Sequence, residues 1–189
     1  MKEQSYSDCR VELRTGDVLL WRGRRLFSWA IRWMGRSVYS HAAIVVRIHL
    51  RGGADRVMIA ESVEGKGCRL VPLSSALEAG GWIDWYRVDD TFAWPNADAV
   101  TDAALSNLGQ RYGWGSIWRI FGRRLLPVNQ ERSMDDAAQS GREMVCSEFV
   151  SHVLRRAGVD LVARRSDGTT EPGDLALSPL LELRGRLVP

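Results

Sequence analysis

Two runs rich in β-branched residues, 41–48 (His-Ala-Ala-Ile-Val-Val-Arg-Ile) and 56–60 (Arg-Val-Met-Ile-Ala), flank Arg51-Gly52-Gly53-Ala54. No other feature constrains the chain as strongly, because such runs around a glycine-containing connection predict an antiparallel hairpin with a slightly long loop. If the chain reverses near Gly52, residues whose numbers sum to about 102–105 face each other across the pair. That sets His41 beside Glu61 or Ser62.

Further elements follow from pattern and punctuation. Residues 16–21 (Gly-Asp-Val-Leu-Leu-Trp) predict a short buried strand opened by a turn, and strands are also expected near 67–71 and across Trp82 to Val88. Leu26, Trp29, Ala30 and Trp33 at helical spacing predict a helix over 26–34 that stops at Gly35. Pro95 and Asn96 open a helix from 97 to 108, with Val100, Ala103, Ala104 and Leu108 on one face and Gly109 as its stop. A second strong helix is expected from Glu143 to Ala157, ended by Gly158. No repeat, low-complexity segment or long linker divides the 189 residues, so one domain, 1–189, is expected.

Charge excludes one function class. The 26 basic residues stand against 23 acidic ones, a net charge of +3, without the clustered footprint of a nucleic-acid binder. The densest basic stretch, Arg22 to Arg36, interleaves Arg with Trp and Phe. It reads as a packed helix with a solvated face, and a membrane surface is the less favoured reading. The Trp residues near Arg (Trp21, Trp29, Trp33, Trp114, Trp118) suit core edges, a groove or a partner surface. The N-terminal stretch has no apolar signal region and no run approaches ~18 apolar residues, so cytoplasmic synthesis is expected. Action outside the cell would then require lysis, a particle or an injection device.

Cys9, Cys68 and Cys146 are an odd count without close spacing. This argues against a disulfide framework and against C-x-x-C metal chemistry, and it fits a reducing compartment. No ligand cluster at zinc spacing exists, so no metal or other cofactor is expected.

Cys146 lies at or just inside the start of the second helix, where unpaired N–H groups and the positive end of the dipole stabilise a thiolate. The plainer reading of a lone Cys is a small buried hydrophobe. A nucleophile needs a base, and there are three His. His152 is six residues further along the same helix, about 240° round, and faces away onto the outer surface. His49 would lie ~26 Å from His41 along one strand, so the two cannot serve one site. His41 has Glu61 as a ready orienter of its ring, whereas His49 has no comparable partner and starts a loop. The plainer reading of Glu61 is a solvated strand end. The constellation is therefore Cys146 as nucleophile, His41 as general base and Glu61 as the third member.

The stretch Leu108-Gly109-Gln110-Arg111-Tyr112-Gly113-Trp114-Gly115, followed by Cys146-Ser147, is similar to the signature of NlpC-type papain-like cell-wall peptidases. In most of these the His follows the Cys. Here Gly16-Asp17-Val18-Leu19, Ser40-His41-Ala42-Ala43-Ile44-Val45, Glu61-Ser62, Cys146-Ser147-Glu148-Phe149 and Pro172-Gly173-Asp174-Leu175 come in the order of the circularly permuted branch. That branch holds bacterial permuted amidases and, more distantly, lecithin:retinol acyltransferase-like enzymes.

The resemblance implies an α+β, papain-like, circularly permuted fold in which an antiparallel sheet packs against the helix bearing the Cys. It also implies that Tyr112 lines the site, with Ser147 and Ser40 beside the substrate or oxyanion; on its own, Tyr112 reads as a turn aromatic. About thirty residues, 116–141, separate the Tyr motif from Cys146, longer than in the simple peptidases, and read as a lid or a partner surface. The expected reaction is hydrolysis of a peptide amide through a thioester acyl-enzyme, with peptidoglycan fragments as first candidate substrates. Two rivals are a lipid-directed thioesterase, phospholipase or acyltransferase using segment 22–36, and a structural module of a phage tail or secretion assembly.

Overall fold

A computed structural model describes residues 3–22, 37–78, 80–89, 95–113, 143–163, 167 and 170–188. The predicted helix 26–34, Trp114, Trp118 and the stretch 116–141 lie outside the described residues. In chain order the elements are β1 (Glu3–Ser5), α1 (Tyr6–Cys9), β2 (Val18–Arg22), β3 (Tyr39–His49), β4 (Asp55–Val63) and β5 (Gly67–Pro72). There follow α2 (Leu73–Glu78), β6 (Trp82–Val88), α3 (Ala97–Ser106), α4 (Cys146–Arg156), α5 (Pro172–Ala176) and β7 (Leu181–Val188).

The strands form one seven-stranded sheet in the order β1-β7-β6-β2-β3-β4-β5. All pairings are antiparallel except β1 with β7, which is parallel and which pattern reasoning did not anticipate. The apolar runs are continuous because both faces of the sheet are covered. Val18, Leu20, Ala42, Ile44 and Val46 pack with Phe149, Val150, Val153 and Leu154 of α4. Leu19, Trp21, Ala43, Val45 and Ile59 pack on the other face with Cys9, Leu13, Leu73 and Leu77. Two residues one apart in a strand thus serve different cores, as a period of two requires.

Helix boundaries follow their caps. Asn96 caps α3 by accepting from the N–H groups of Asp98 and Ala99, and the helix ends at Ser106, two residues before the predicted end at Leu108. The Cys helix begins at Cys146, three residues later than predicted, because Val145 keeps an extended conformation (φ −82°, ψ 166°). Gly158 takes φ +91° just after its end, where glycine pays little for a left-handed turn.

Two buried carboxylates knit the sheet. Asp17 accepts from Trp85 Nε1 (2.9 Å), Arg87 Nε (2.8 Å) and Arg87 Nη2 (2.8 Å), tying the turn before β2 to β6. Asp84 accepts from Tyr39 Oη (2.8 Å) and Arg186 Nε (2.9 Å) and pairs with Arg22 at 2.6 Å, tying β3, β6, β7 and β2.

Candidate active site

The hairpin built on the first sequence feature has a register in which paired numbers sum to 104, and its ladder runs from His49↔Asp55 to Ile44↔Ala60. Beyond that point the strands take other partners. Trp21 of β2 faces His41, and Arg69 and Cys68 of β5 face Glu61 and Ser62. His41 and Glu61 are therefore not opposite each other in the backbone ladder, as the sequence arithmetic had them. They meet through their side chains, His41 Nε2 to Glu61 Oε2 at 2.6 Å.

Between Glu61 and Ser62 the choice is made by side-chain contacts. Ser62 Oγ donates to the carbonyl of Met144 at 2.6 Å and so ties β4 to the segment that leads into α4. Glu61 takes the histidine, and its other oxygen, Oε1, accepts from Arg69 Nε (2.9 Å) and Nη2 (2.6 Å).

His41 has no exposed surface, and its ring lies 5.1 Å from that of Trp21. With Nε2 committed to the carboxylate, Nδ1 is the nitrogen left to face the thiol. Burial by itself pushes the imidazole down, but a hydrogen bond to Cys146 and the Glu61 partner outweigh it and raise the group to about 9. Burial pushes the Glu61 carboxyl up, whereas His41 and Arg69 pull it down, and the result lies below its ordinary range. A row of four side chains, Cys146, His41, Glu61 and Arg69, thus crosses α4, β3, β4 and β5.

Cys146 is the first residue of α4 and is 2% exposed. Its N-cap, Val145, offers no side-chain hydrogen bond. Glu148, at the third helical position, accepts from the Val145 N–H at 3.4 Å.

Tyr112 comes near Cys146 by way of its own strap. Gly109 N donates to the Cys68 carbonyl (2.9 Å) and Cys68 N to that of Gln110 (2.8 Å), so residues 109–110 run along β5. Tyr112 and Met144 then form a parallel bridge, with Gly113 N donating to Met144 O at 3.0 Å. Tyr112 is 4% exposed, and burial together with the nearby Cys146 and Glu64 pushes its phenol up. Gly67 permits the close approach of the strap. It takes φ +70°, and a Cβ there would lie 2.1 Å from the Gln110 carbonyl oxygen. A cavity of about 440 Å³ opens along this strap, lined by Gly65, Lys66, Gly67, Gln110, Tyr112 and Glu143 among others.

The remaining predicted residues fall into place with differences. Ser147 Oγ donates to the Thr170 carbonyl at 2.6 Å, so the side chain is spent on a structural tie and only its backbone can serve the substrate. Ser40 is buried, and its Oγ lies 3.4 Å from the Trp21 carbonyl. His49 ends β3 rather than starting a loop, and it does have a carboxylate near it: its ring is 3.5 Å from Asp55, with the side chain 76% exposed. His152 stands 3.9 Å from Asp167, away from the row and partly buried rather than fully outward. Pro172 opens α5, and Gly173 lies so near Ser37 that a Cβ there would be 2.6 Å from its Oγ.

Sequence reasoning missed Arg69. A third strand was expected there, and the turn Glu64-Gly65-Lys66 would have set its register, with Glu61 opposite Arg69.

A helix-borne cysteine beside a strand-borne histidine on a largely antiparallel sheet, with the histidine first in the chain, defines a circularly permuted papain-like cysteine hydrolase. The chain belongs to the permuted papain-like amidase enzymes of the YaeF/YiiX, C92 family, whose model matches residues 12–124. Among solved structures it is similar to the metalloprotein yiiX from Escherichia coli O157:H7, at 17% identity and a TM-score of 0.63, over 94% of this chain and 99% of that one. No curated protein matches it.

Proposed function

We propose that the chain is a cysteine amidase that cleaves a peptide amide, with Cys146, His41 and Glu61 as its working row. The thiol of Cys146 gives its proton to His41 Nδ1, and the sulfur attacks the amide carbonyl carbon. The carbonyl π electrons move to oxygen, where the backbone N–H of Cys146 and the Tyr112 hydroxyl are the donors. On collapse the C–N bond breaks, and His41 passes the proton to the departing amine. Water then attacks the thioester, losing a proton to His41, and the carboxylic acid leaves as the thiol re-forms. Glu61 keeps the Nε2–H of His41 fixed and supports the imidazolium between steps.

One observation carries this reading: a wholly buried histidine with a thiol on one side and a carboxylate at 2.6 Å on the other. A peptide of the bacterial cell wall is the first substrate class, supported by the cavity along Tyr112, where the narrow glycines Gly65 and Gly67 leave room for an extended chain and Lys66, Arg111 and Glu143 offer charges of both signs. The yiiX neighbour is named a metalloprotein. Among the described residues no three His, Cys, Asp or Glu side chains gather as a metal site, and Glu61 already carries an arginine on its second oxygen. Among the described residues, the side chains of the row do not fit a metal.

Iodoacetamide labelling from pH 5 to 9, read by mass spectrometry, tests the row. Cys9, pushed up to about 11 by burial, and Cys68, pushed up by burial as well, are internal controls. Cys146 is expected to react fastest well below pH 8, to slow in His41→Ala, and wild-type protein, unlike Cys146→Ala, to release new amino groups from peptidoglycan fragments. Labelling of Cys146 no faster than that of Cys68 would sink the proposal.

A further inference from the structure

Glu61 is 2% exposed, and its two oxygens are divided between two partners on neighbouring strands. A carboxylate so far from water stays charged only if both oxygens are compensated. His41 takes Oε2; Arg69, directly opposite Glu61 in the β4–β5 register, puts Nε and Nη2 on Oε1. Two donors of one rigid guanidinium on Oε1, with His41 on Oε2, hold both oxygens and so fix the carboxylate plane as well as its charge. The Arg69 side chain is 32% exposed, so it closes the row on its outer side.

We infer that Arg69 is a positioning residue of this hydrolase: it keeps Glu61 ionised and turned toward His41, and so sets the acid edge of the working pH range. This rests on the reading of Cys146 and His41 as nucleophile and base. Among the described residues, the other titratable groups about the row include Cys146 and Glu148 of α4, Cys68 next to Arg69, Tyr112 on the strap and Glu64 in the β4–β5 turn.

The sign follows from charge. Removing Arg69 takes a cation and two donors from Glu61, so the carboxylate gains its proton at a higher pH and the anions of the row lose stabilisation together. In Arg69→Met the midpoint of the Glu61 carboxyl, followed by carbon-13 NMR on the full chain, is expected to rise by about one pH unit. The acid limb of Cys146 alkylation should rise with it, making labelling on that limb roughly ten-fold slower. Arg69→Lys, which keeps the charge but only one donor group in reach, should recover most of the shift. A role confined to strand pairing would lower thermal stability and leave the Glu61 midpoint where it is; an unmoved midpoint overturns the inference. Should Arg69→Met not fold, Arg69→Gln removes the charge with less change of shape, and the same midpoint decides. If wild-type Cys146 labels no faster than Cys68, the amidase reading falls separately, since the Glu61 midpoint reports on Arg69 whether or not the thiol is reactive.

Discussion

At His41 two effects of opposite sign meet, and the geometry decides which wins. Desolvation disfavours the imidazolium, but the hydrogen bonds and negative charge supplied by Cys146 on one side and by Glu61, 2.6 Å away, on the other favour it more strongly. The folded-state value is therefore above the unfolded one, 6.5 raised to about 9. The stability this contributes is fully present below pH 6.5 and fades as the pH rises through about 9. Glu61 runs the other way: its value is depressed from 4.5, so its contribution is present above pH 4.5 and is lost as the pH falls through the lower folded value. The gap in melting temperature between wild type and His41→Asn is thus expected to be widest near pH 5–6.5 and to narrow toward pH 9 and beyond, as differential scanning calorimetry would record; a gap independent of pH would refute the charged pair. In turnover, His41→Ala should lose ~10²–10⁴-fold.

Between neighbouring elements, the decisive device is the strap from Gly109 to Gly113, which joins β5 to the entry of α4. It brings Tyr112 near Cys146 through backbone hydrogen bonds to Cys68 and Met144, and it lies flat against β5 because residue 67 has no Cβ. Gly67→Ala would place a methyl 2.1 Å from the Gln110 carbonyl oxygen and ask an alanine to hold φ +70°. The expected cost is about 2–4 kcal/mol from overpacking and the left-handed backbone together. Urea unfolding of the variant measures it, and a loss under about 1 kcal/mol would mean that the strap moves away easily. Gly113 is confined likewise, since a Cβ there would lie 2.8 Å from the Glu143 carbonyl oxygen. The element pattern was largely legible: β6 spans the predicted Trp82 to Val88, and Gly109 and Gly158 follow α3 and α4 as foreseen. The short pieces β1, α1, α2 and α5 were not, since three to six residues hold no period long enough to read, and neither was β7, whose alternation is broken at the irregular pairing around Gly185.

Over the whole molecule, the sheet is held by buried carboxylates that join segments far apart in the chain. Asp17 and Arg87 are 0% and 5% exposed at their side chains, and the same aspartate accepts from Trp85. The Gly16-Asp17 motif thus fixes the turn before β2 onto β6, far from the thiol in its contacts. Asp17→Ala leaves Arg87 buried without its carboxylate and is expected to cost ~3–5 kcal/mol of global stability. Thermal unfolding checks this, and a shift of only a degree or two would show that water reaches Arg87 instead. No helix among the described residues is long and apolar enough to cross a membrane.

By itself the sequence determined the kind of protein, a permuted papain-like cysteine hydrolase, and singled out Cys146 and His41, which the fold brings near each other. A cysteine at a helix start, and one histidine at the head of a hairpin with a carboxylate across the turn, are local patterns, and local patterns follow from backbone periods and turn residues. The hairpin arithmetic brought His41 and Glu61 to the same end of the pair, although their ladder stops at Ile44↔Ala60 and only side-chain length closes the gap. Tertiary structure alone decided that Arg69 pairs with Glu61, that Ser147 turns to Thr170, and that Asp17 and Asp84 are buried with arginines. The physical reason is distance along the chain. Arg186 meets Asp84 from 102 residues away and Arg87 meets Asp17 from 70, encounters set by the strand order β1-β7-β6-β2-β3-β4-β5, which no local period encodes.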